Sequence, residues 1–403
     1  MRVAIHSYVY YPESFLVNEL AAELVARGYI VQAYTGLPNY PKGEFFAPYS
    51  LLSGPYTEEH EGVEIIRYPI VPRKKGFFWL ALNYLSHLVS GLLCSFRLEK
   101  VDAHIVFATS PIITAIPAII KARFTGAKVI IWLQDLWPES VSAVGALGKK
   151  SIPYKIIGSM VRWIYKNTDV MLIQSPAFRS NLNEFGFKGQ IVDVPNWAPS
   201  EIEQTQKEEP SWLKEFPQNE LTITFAGNIG KAQAVSTVLS AANSLKHHQE
   251  IKFVFVGDGS QKEWAEKYVR DRELPNVIFF GRRAVADMPA LFRRSSALLV
   301  SLSDEPIFSM TIPSKIQAYM AAGRPIVGCL NGAGADVIRQ SGCGLVASAM
   351  NSEELSQVIL NFKNSSKDQV SEFAANAKSY YQKHFAKEVA INAIEGVLKL
   401  GSS

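Results

Sequence analysis

The chain has 403 residues, of which 48% are hydrophobic and 19% are charged, so it can bury the cores of two domains. The formal net charge of +4 is too small to indicate a nucleic-acid partner, and the three cysteines lack a C-x-x-C spacing, which is typical of reduced thiols in a cytoplasmic protein. Met1-Arg2 leads directly into an apolar run, so the sequence predicts no secretory signal peptide.

The first half of the chain alternates short apolar runs with helical patterns. Continuous apolar runs predict strands that are buried on both faces, which is typical of a parallel sheet covered by helices. The predicted strands are 3–7, 30–35, 63–68, 103–108, 128–134, 170–174 and 191–194. We therefore predict a doubly wound α/β domain over residues 1–197, with its first helix at 15–26.

Residues 73–98 depart from this alternation. Three basic residues at 73–75 precede a run from 77 to 96 that contains no Asp, Glu, Lys or Arg. The run has the length of a membrane span, but several polar side chains dilute it. One interpretation is a helix that lies on the inner-membrane surface with its basic end on anionic headgroups. The other is a buried core helix of the first domain.

The composition changes at residues 198–220, where three prolines lie among Glu, Gln and Lys, which predicts an interdomain linker. The strand pattern then restarts, and the predicted strands are 221–226, 251–256, 277–280, 297–302, 325–330 and 344–347. We predict a second α/β domain over 221–385, followed by a C-terminal helix within 386–403.

Ligands of doubly wound sheets bind at the carboxyl ends of the strands, so the loops there are the candidate sites. The loop after the first strand of the second domain contains Gly227, Asn228, Gly230 and Lys231, and Gly257 follows the next strand. Glycine lets a backbone approach a phosphate closely, and the lysine adds a positive charge. The loop matches neither a Walker A loop nor G-x-G-x-x-G, so a plain strand–helix turn is the alternative.

Residues 311–328 combine a helix start, a turn and a strand. Pro313 suits the first turn of a helix, so Ser314 and Lys315 lie where free backbone N–H groups attract an anion. An ordinary helix–strand step of an α/β sheet is the alternative interpretation.

Cations recur near strand ends and helix starts of the second half, at Lys231, Arg282, Arg283, Lys315 and Arg324. Fixed cations can neutralise a diphosphate without a metal ion. The sequence contains no D-x-D, H-E-x-x-H or Cys/His cluster, so we expect no tightly bound metal.

In the first half, Gln134 and Asp135 end a predicted strand, and Glu139 follows shortly after. The two carboxylates can bind hydroxyl groups or act as a base, and structural acids in a turn are the alternative. Glu13 and Ser14 can cap the helix 15–26 or contact a substrate at the same edge of the sheet.

These features resemble the GT-B glycosyltransferases of family 4, and the resemblance extends over essentially the whole chain. It is carried by Ala226-Gly-Asn-Ile-Gly-Lys231, Val256-Gly-Asp-Gly259, Pro313-Ser-Lys315, Tyr319-Met-Ala-Ala-Gly-Arg-Pro325 and the loop 332–336. Val194-Pro-Asn-Trp197 and Gln134-Asp-Leu-Trp-Pro138 are similar to the branch that builds bacterial surface polysaccharides, which includes the L-fucosamine transferases of O-antigen clusters.

The resemblance implies two Rossmann-like domains that face each other across a cleft, and a final helix that returns to the first domain. It also implies a UDP-sugar donor on the second domain, a polyprenyl-diphosphate-linked acceptor on the first, and no further cofactor. The chain departs from the family where paired glutamates are replaced by Met310 and Ala318. The family's phosphate-loop Arg and Lys correspond to Asn228 and Gln233, and its first-domain His corresponds to Gln134.

We therefore expect a cytoplasmic, membrane-peripheral glycosyltransferase that moves a sugar such as N-acetyl-L-fucosamine from UDP to a lipid-linked acceptor in O-antigen or capsule synthesis. The expected catalytic residues are Gln134, Asp135 and Lys315. The expected donor-binding residues are Gly227, Asn228, Gly230, Lys231, Gly257, Arg283, Ser314, Lys315 and Asp336, and the expected acceptor-binding residues are Glu13, Ser14 and Glu139. The alternatives are a UDP-sugar epimerase of the same architecture and an inactive scaffold of a polysaccharide-assembly complex.

Overall fold

The computed structural model describes residues 1–74, 76–97, 99–143, 148, 151–203 and 209–400. The chain forms two compact units of similar size. The first unit comprises Met1–Val194 together with the chain from Ile391 onward, and the second comprises Pro195–Ala390.

The first unit contains an eight-stranded sheet with the order β3-β4-β2-β1-β5-β6-β7-β8. Its strands are β1 Arg2–Ser7, β2 Ile30–Gly36, β3 Thr57–His60, β4 Val63–Tyr68, β5 Ala103–Ala108, β6 Lys128–Leu133, β7 Val170–Ile173 and β8 Gln190–Asp193. All neighbours pair in parallel except β3, which is antiparallel to β4. The central strand β5 is buried along its whole length, as its apolar sequence predicts.

Helices cover this sheet, because its apolar strands need both faces shielded from water. They are α1 Leu16–Ala26, α2 Phe77–Ser95, α3 Ala115–Thr125, α4 Glu139–Ala143, α5 Ile152–Lys166 and α6 Phe178–Glu184. The 3-10 helix Ile112–Thr114 leads into α3.

The second unit contains a six-stranded parallel sheet with the order β11-β10-β9-β12-β13-β14. Its strands are β9 Leu221–Ala226, β10 Ile251–Val256, β11 Val277–Gly281, β12 Ala297–Ser301, β13 Ile326–Cys329 and β14 Gly344–Ala347. The strand order reverses between β9 and β12, which is where ligands of such sheets bind.

The helices of the second unit complete its two covering layers. They are α7 Ser200–Glu203, α8 Val235–Ser244, α9 Lys262–Asp271, α10 Met288–Arg294, α11 Pro306–Met310, α12 Ser314–Ala321, α13 Ala333–Ser341, α14 Ser352–Lys363 and α15 Lys367–His384. Three 3-10 helices, Ser211–Glu215, Lys231–Gln233 and Val285–Asp287, lie in the connections.

Every predicted strand is present, and the sequence analysis missed one, β3. Its four residues, Thr-Glu-Glu-His, include no large apolar side chain, and all four are exposed or half-buried. An antiparallel edge strand needs no apolar run, so periodicity could not indicate it.

The predicted linker 198–220 is structured wherever the chain is described. Ile202, Leu213 and Phe216 are buried in the same core as β12 and α12. The Tyr381 hydroxyl accepts from the Ala198 N–H at 3.2 Å and donates to Glu203 at 2.7 Å. Residues 204–208 of this prediction lie outside the described residues. The described part of this segment is therefore packed into the second unit and is not a free tether.

The last helix, α16 Lys387–Lys399, runs into the first unit from Ile391 onward. There Arg27 donates to Asn392 at 2.6 Å and to Glu395 at 2.9 Å. The Lys128 ammonium donates to the Val397 carbonyl at 3.2 Å. These contacts attach the end of the chain to α1 and β6.

Candidate functional site

The carboxyl edge of the second sheet is built mainly from backbone. Gly227 follows β9 and Gly257 follows β10, both with positive φ, of 127° and 149°. A Cβ atom on Gly257 would lie 1.8 Å from the Gly227 carbonyl oxygen. Only glycine permits the two loops to lie this close together. The missing side chains leave the backbone at the strand ends open. Such a surface suits a phosphate group.

The loop after β9 is closed by Gln233, which the sequence analysis did not include among the site residues. Its side-chain oxygen accepts from the Gly230 N–H at 3.2 Å and from the Asn228 amide at 3.2 Å. Its backbone carbonyl accepts from the Ser301 hydroxyl at 2.6 Å. The loop is thus held by its own side chains and by β12, and Lys231 at its centre is exposed.

Lys315 lies next to this loop, as the sequence predicts for the start of α12. Its Nζ is 3.3 Å from the centroid of the Phe225 ring, and its Cε lies 2.9 Å from where a Cβ of Gly227 would be. The Nζ is buried and has no hydrogen-bond partner among the described residues. Burial holds the pKa of the Lys315 amine well below its usual range. A buried amine without a counter-ion is poised to bind an anion.

Other predicted donor-side residues lie elsewhere or have other partners. Arg283 is exposed after β11, with its guanidinium carbon 4.7 Å above the Trp212 ring. Asp336 is exposed on α13 and lies 3.5 Å from Arg339. Ser314 begins α12 and is exposed. The structure therefore brings Gly227, Gly257 and Lys315 together, and it gives Arg283 and Asp336 side-chain partners outside that group.

The predicted convergence of cations is wrong for Arg324. This residue precedes β13, and its side chain donates to the carbonyl of Ser295, which precedes β12. Both residues lie at the amino edge of the sheet, opposite the glycine loops. Spacing along the chain placed Arg324 near a strand end, but it did not show which end.

At the carboxyl edge of the first sheet, side chains form the candidate site. The Ser110 hydroxyl donates to Asp135 at 2.9 Å and accepts from the Trp137 indole N–H at 3.1 Å. The Tyr84 ring is 6.4 Å from the Trp137 ring. Burial raises the pKa of Asp135, and the hydrogen bond from Ser110 opposes that rise. A carboxylate beside aromatic rings is suited to binding and deprotonating a hydroxyl group.

Gln134 and Glu139 flank this cluster. The Gln134 carbonyl accepts from the Gln174 amide at 3.1 Å, which ties the end of β6 to the end of β7. The Gln134 side chain is almost fully buried. Glu139 is half-buried and begins α4, where an acidic residue complements the helix dipole.

Glu13 orders the loops of this edge. One of its oxygens accepts from the Asn39 and Tyr40 N–H groups at 2.9 and 2.6 Å, and the other accepts from the Tyr10 N–H at 3.2 Å. Burial raises the pKa of Glu13 although these bonds lower it. The predicted capping role of Ser14 is wrong, because α1 begins at Leu16 and Ser14 is exposed.

A buried histidine pair joins β1 and β5, and no pattern in the sequence indicates it. His6 Nε2 and His104 Nδ1 are 3.0 Å apart. Burial lowers the pKa of both rings, that of His104 to about 4. The pair is therefore neutral at physiological pH and can share a single hydrogen bond. Two histidines nearly a hundred positions apart give no local signal.

Helix α2 exposes its apolar face and buries its polar one. Its buried residues are Asn83, His87, Gly91 and Ser95, spaced by four. Its exposed large side chains are Phe77, Phe78, Trp79, Leu85, Val89 and Leu93. By length and composition α2 can cross a membrane, and 17% of its apolar window is buried. The interpretation as a buried core helix is wrong, because that core would enclose the apolar side.

The described residues contain no group of three or more His, Cys, Asp or Glu side chains that can hold a metal ion.

Comparison with known proteins gives two family matches. Residues 16–197 match the glycosyl transferase 4-like domain, and residues 206–380 match glycosyl transferases group 1. The solved structure of Anabaena Alr3699/HepE in complex with UDP superposes with a TM-score of 0.72 at 13% identity, covering 99% of this chain and 100% of that one. The fold is therefore GT-B. With one glycosyltransferase match in each half, the chain belongs to the glycosyltransferases.

Two curated relatives are similar in sequence. The probable glycosyltransferase WbjE of Pseudomonas aeruginosa is 25% identical over 264 residues, and the match spans 64% of each chain. The putative colanic acid biosynthesis glycosyl transferase WcaI of Escherichia coli K12 is 25% identical over 342 residues, which cover 80% of this chain and 82% of the relative.

Proposed function

We propose that this protein transfers a sugar from a UDP-sugar to a lipid-linked acceptor in bacterial surface-polysaccharide synthesis, working at the cytoplasmic face of the inner membrane. The observation that carries the proposal is the glycine-lined edge of the second sheet with the buried, unpartnered Lys315 beside it. This arrangement occurs in a chain that belongs to the glycosyltransferases.

The donor side is supported by the chemistry of a diphosphate. The missing Cβ atoms of Gly227 and Gly257 let a diphosphate approach the backbone closely, and Lys315 supplies the positive charge. The relative HepE was solved with UDP and with UDP-glucose, which favours a UDP-sugar for this chain as well. WcaI is named for colanic acid synthesis, which favours a polysaccharide product.

The proposed reaction uses these residues and the two substrates. The bond between the anomeric carbon and the diphosphate oxygen breaks, and its electron pair leaves with UDP, where Lys315 stabilises the charge. The acceptor oxygen forms the new bond to the anomeric carbon. Its proton passes to a base at the acceptor edge, and we assign that role to Asp135, with Gln134 positioning the acceptor.

The membrane side is supported by α2. Phe78 and Leu93 are 70% and 67% exposed on its outward face. Burying a large apolar side chain is worth roughly 1.5–3 kcal/mol, so several of them give reversible binding to a lipid surface. Lys74 precedes the helix, with its amine 4.8 Å above the Trp79 ring, where it can meet anionic headgroups. An epimerase acting on soluble UDP-sugars has no use for such a face.

The test incubates the purified protein with separate UDP-sugars, N-acetyl-L-fucosamine first, and with membrane lipid extract, and reads the mass of the glycolipids formed. A new glycolipid whose formation needs both substrates supports the proposal. A UDP-sugar converted without lipid would indicate an epimerase. Absence of UDP binding by calorimetry would indicate a scaffold.

The membrane contact is tested by comparing the two faces of α2. Leu85→Glu together with Val89→Glu should weaken binding to anionic vesicles by about tenfold or more while leaving the thermal midpoint unchanged, since both side chains are exposed. Asn83→Ala should lower the thermal midpoint and leave vesicle binding unchanged. The Asn83 side chain is buried, and its amide hydrogen-bonds to the Val71 carbonyl and the Tyr8 hydroxyl. Unchanged vesicle binding in the double variant would contradict the membrane assignment.

A further inference from the structure

Arg73 carries a positive charge without a carboxylate partner among the residues that the structure describes. Its side chain is half-buried, and its guanidinium carbon lies 5.9 Å from the centroid of the Tyr40 ring. A guanidinium presents five donors in a fixed fork, and those of Arg73 make no hydrogen bond to any residue that the structure describes. The Arg73 side chain is thus suited to binding an anion.

The backbone of Arg73 is fixed from several sides. Its N–H donates to Asn39 at 2.9 Å. Two residues earlier, the Val71 N–H donates to the Ser86 hydroxyl at 2.9 Å. The Val71 carbonyl accepts from the Asn83 amide at 2.6 Å. The backbone that carries the Arg73 side chain is therefore fixed by the loop after β2 and by α2. Such preorganisation lowers the entropy cost of binding a ligand.

On one side, Arg73 is coupled to the polar site of the first sheet. Burial raises the pKa of Tyr8 and Tyr84, and the charge of Arg73 opposes that rise in both. The Tyr8 and Tyr84 rings meet edge to face at 6.0 Å, and Tyr84 in turn faces Trp137. Trp137 shares the Ser110 hydroxyl with Asp135.

On the other side, the exposed apolar face of α2 begins four residues after Arg73, at Phe77. The order along the surface is therefore an apolar face, a fixed cation, and then aromatic rings with a carboxylate. A sugar lipid joined through phosphate has the same order: an apolar chain, an anionic group and a set of hydroxyls.

We propose that Arg73 binds the phosphate group that joins lipid and sugar in the acceptor. The inference rests on the proposed function and deepens it by assigning the residue that recognises the acceptor as a phosphorylated lipid. The guanidinium fork pairs with two phosphate oxygens at once, which selects a phosphorylated lipid over a neutral glycolipid. The sugar then extends toward Asp135 and Trp137.

The test is calorimetric titration of farnesyl diphosphate and of farnesol into the protein saturated with UDP, so that the donor site is already filled. The expected result is that the diphosphate binds at least about tenfold more tightly than the alcohol, and that Arg73→Ala removes this preference. Arg73→Lys keeps the charge without the fork and should retain a smaller preference, of about threefold.

Arg97→Ala is the matched control, because Arg97 is an exposed cation just beyond the other end of α2. It should keep the full preference for the diphosphate, and both variants should bind UDP with wild-type affinity. A preference that survives in Arg73→Ala overturns the inference. If UDP itself does not bind, the proposed donor is wrong, and the comparison of the two variants still decides the role of Arg73.

A second arm separates the acceptor phosphate from the headgroups of the bulk membrane. Binding to phosphatidylcholine vesicles with and without phosphatidylglycerol is measured for the same variants. Comparable small losses in Arg73→Ala and Arg97→Ala, together with loss of the diphosphate preference only in Arg73→Ala, support the inference. Loss of vesicle binding in Arg73→Ala with the diphosphate preference intact would mean that Arg73 contacts headgroups only.

Discussion

The carboxyl edges of the two sheets are built in opposite ways. The second sheet presents backbone, with Gly227 and Gly257 in contact and one amine, Lys315, beside them. The first sheet presents side chains, with Ser110 joining Asp135 to Trp137. A backbone surface suits a group of fixed shape and charge such as a diphosphate, whereas side chains can be varied to fit different sugars. Under the proposed function, the donor binds at the backbone edge and the acceptor at the side-chain edge.

The largest effect is expected at the backbone edge, for Gly257→Ala. The added Cβ would meet the Gly227 carbonyl oxygen at 1.8 Å in a φ range that side chains rarely adopt, so the loops must separate. We expect UDP affinity to fall about a hundredfold or more, with a loss of roughly 1–3 kcal/mol in the free energy of unfolding. Calorimetry and chemical unfolding measure the two effects.

The control is Gly396→Ala on the exposed face of α16, where a new Cβ has no atom within 4 Å. It should leave UDP binding intact and raise the free energy of unfolding by up to about 1 kcal/mol. Wild-type UDP affinity in Gly257→Ala would remove the backbone edge from the donor site.

The second effect concerns the amine. Lys315→Met should lower kcat/KM by about 10²–10³-fold, because it removes the charge that stabilises the leaving diphosphate. The thermal midpoint should stay the same or rise, since the variant also removes a buried amine without a partner. Lys231→Met, which removes an exposed amine from the same edge, should cost less than about tenfold. Parallel losses of activity and stability in Lys315→Met would make it a structural lysine.

At the side-chain edge, Asp135→Asn should lower kcat by about 10–100-fold and leave the Kd for UDP unchanged. The companion variant is Ser110→Ala, which removes the hydrogen bond that lowers the pKa of Asp135. The pKa of Asp135 should therefore rise in Ser110→Ala, and the acidic limb of that variant's pH–rate profile should move to higher pH. A weaker affinity for UDP in Asp135→Asn would contradict the proposal that the donor binds at the second sheet and the acceptor at the first.

The smallest effect, taken per pH unit, is a pH dependence of donor binding. Burial lowers the pKa of Lys315 in the free protein, so the amine is neutral over a range where an ordinary lysine is charged. A bound diphosphate raises that pKa again, so binding takes up a proton and weakens as pH increases. Between the two pKa values the Kd for UDP should rise about tenfold per pH unit.

The measurement runs from about pH 7.5 to 9.5, where a terminal phosphate with a second pKa near 6 is already ionised. Titrations in buffers of different ionisation enthalpy count the proton taken up. Lys315→Met should show a Kd independent of pH over this range. A wild-type Kd that is also constant would mean that Lys315 takes up no proton when UDP binds.

The sequence predicted the backbone edge better than the side-chain edge. Glycines after apolar strands are a local signal, and the lysine at a helix start is another, so Gly227, Gly257 and Lys315 were found together. The partnership of Ser110 with Asp135 joins two loops 25 positions apart. Such contacts depend on which strands lie side by side, and the pattern along the chain does not contain that information.

The sequence also did not predict the direction in which polar side chains point. Arg283 and Arg324 had suitable positions along the chain, but one lies on Trp212 and the other at the amino edge of the sheet. Glu13 was a candidate for contacting the acceptor, and its two oxygens bond three backbone N–H groups instead. The partner of a charged side chain depends on which groups the fold brings near it, and the sequence alone does not show them.

The exposed apolar face of α2 affects how the purified protein behaves in solution. Its apolar face includes Leu85 and Val89, which are 57% and 47% exposed. In water without lipid, that face can be buried only against another copy of the protein or in a detergent micelle. The purified enzyme should therefore self-associate as it is concentrated, and mild detergent should return it to a single species whether or not nucleotide is present.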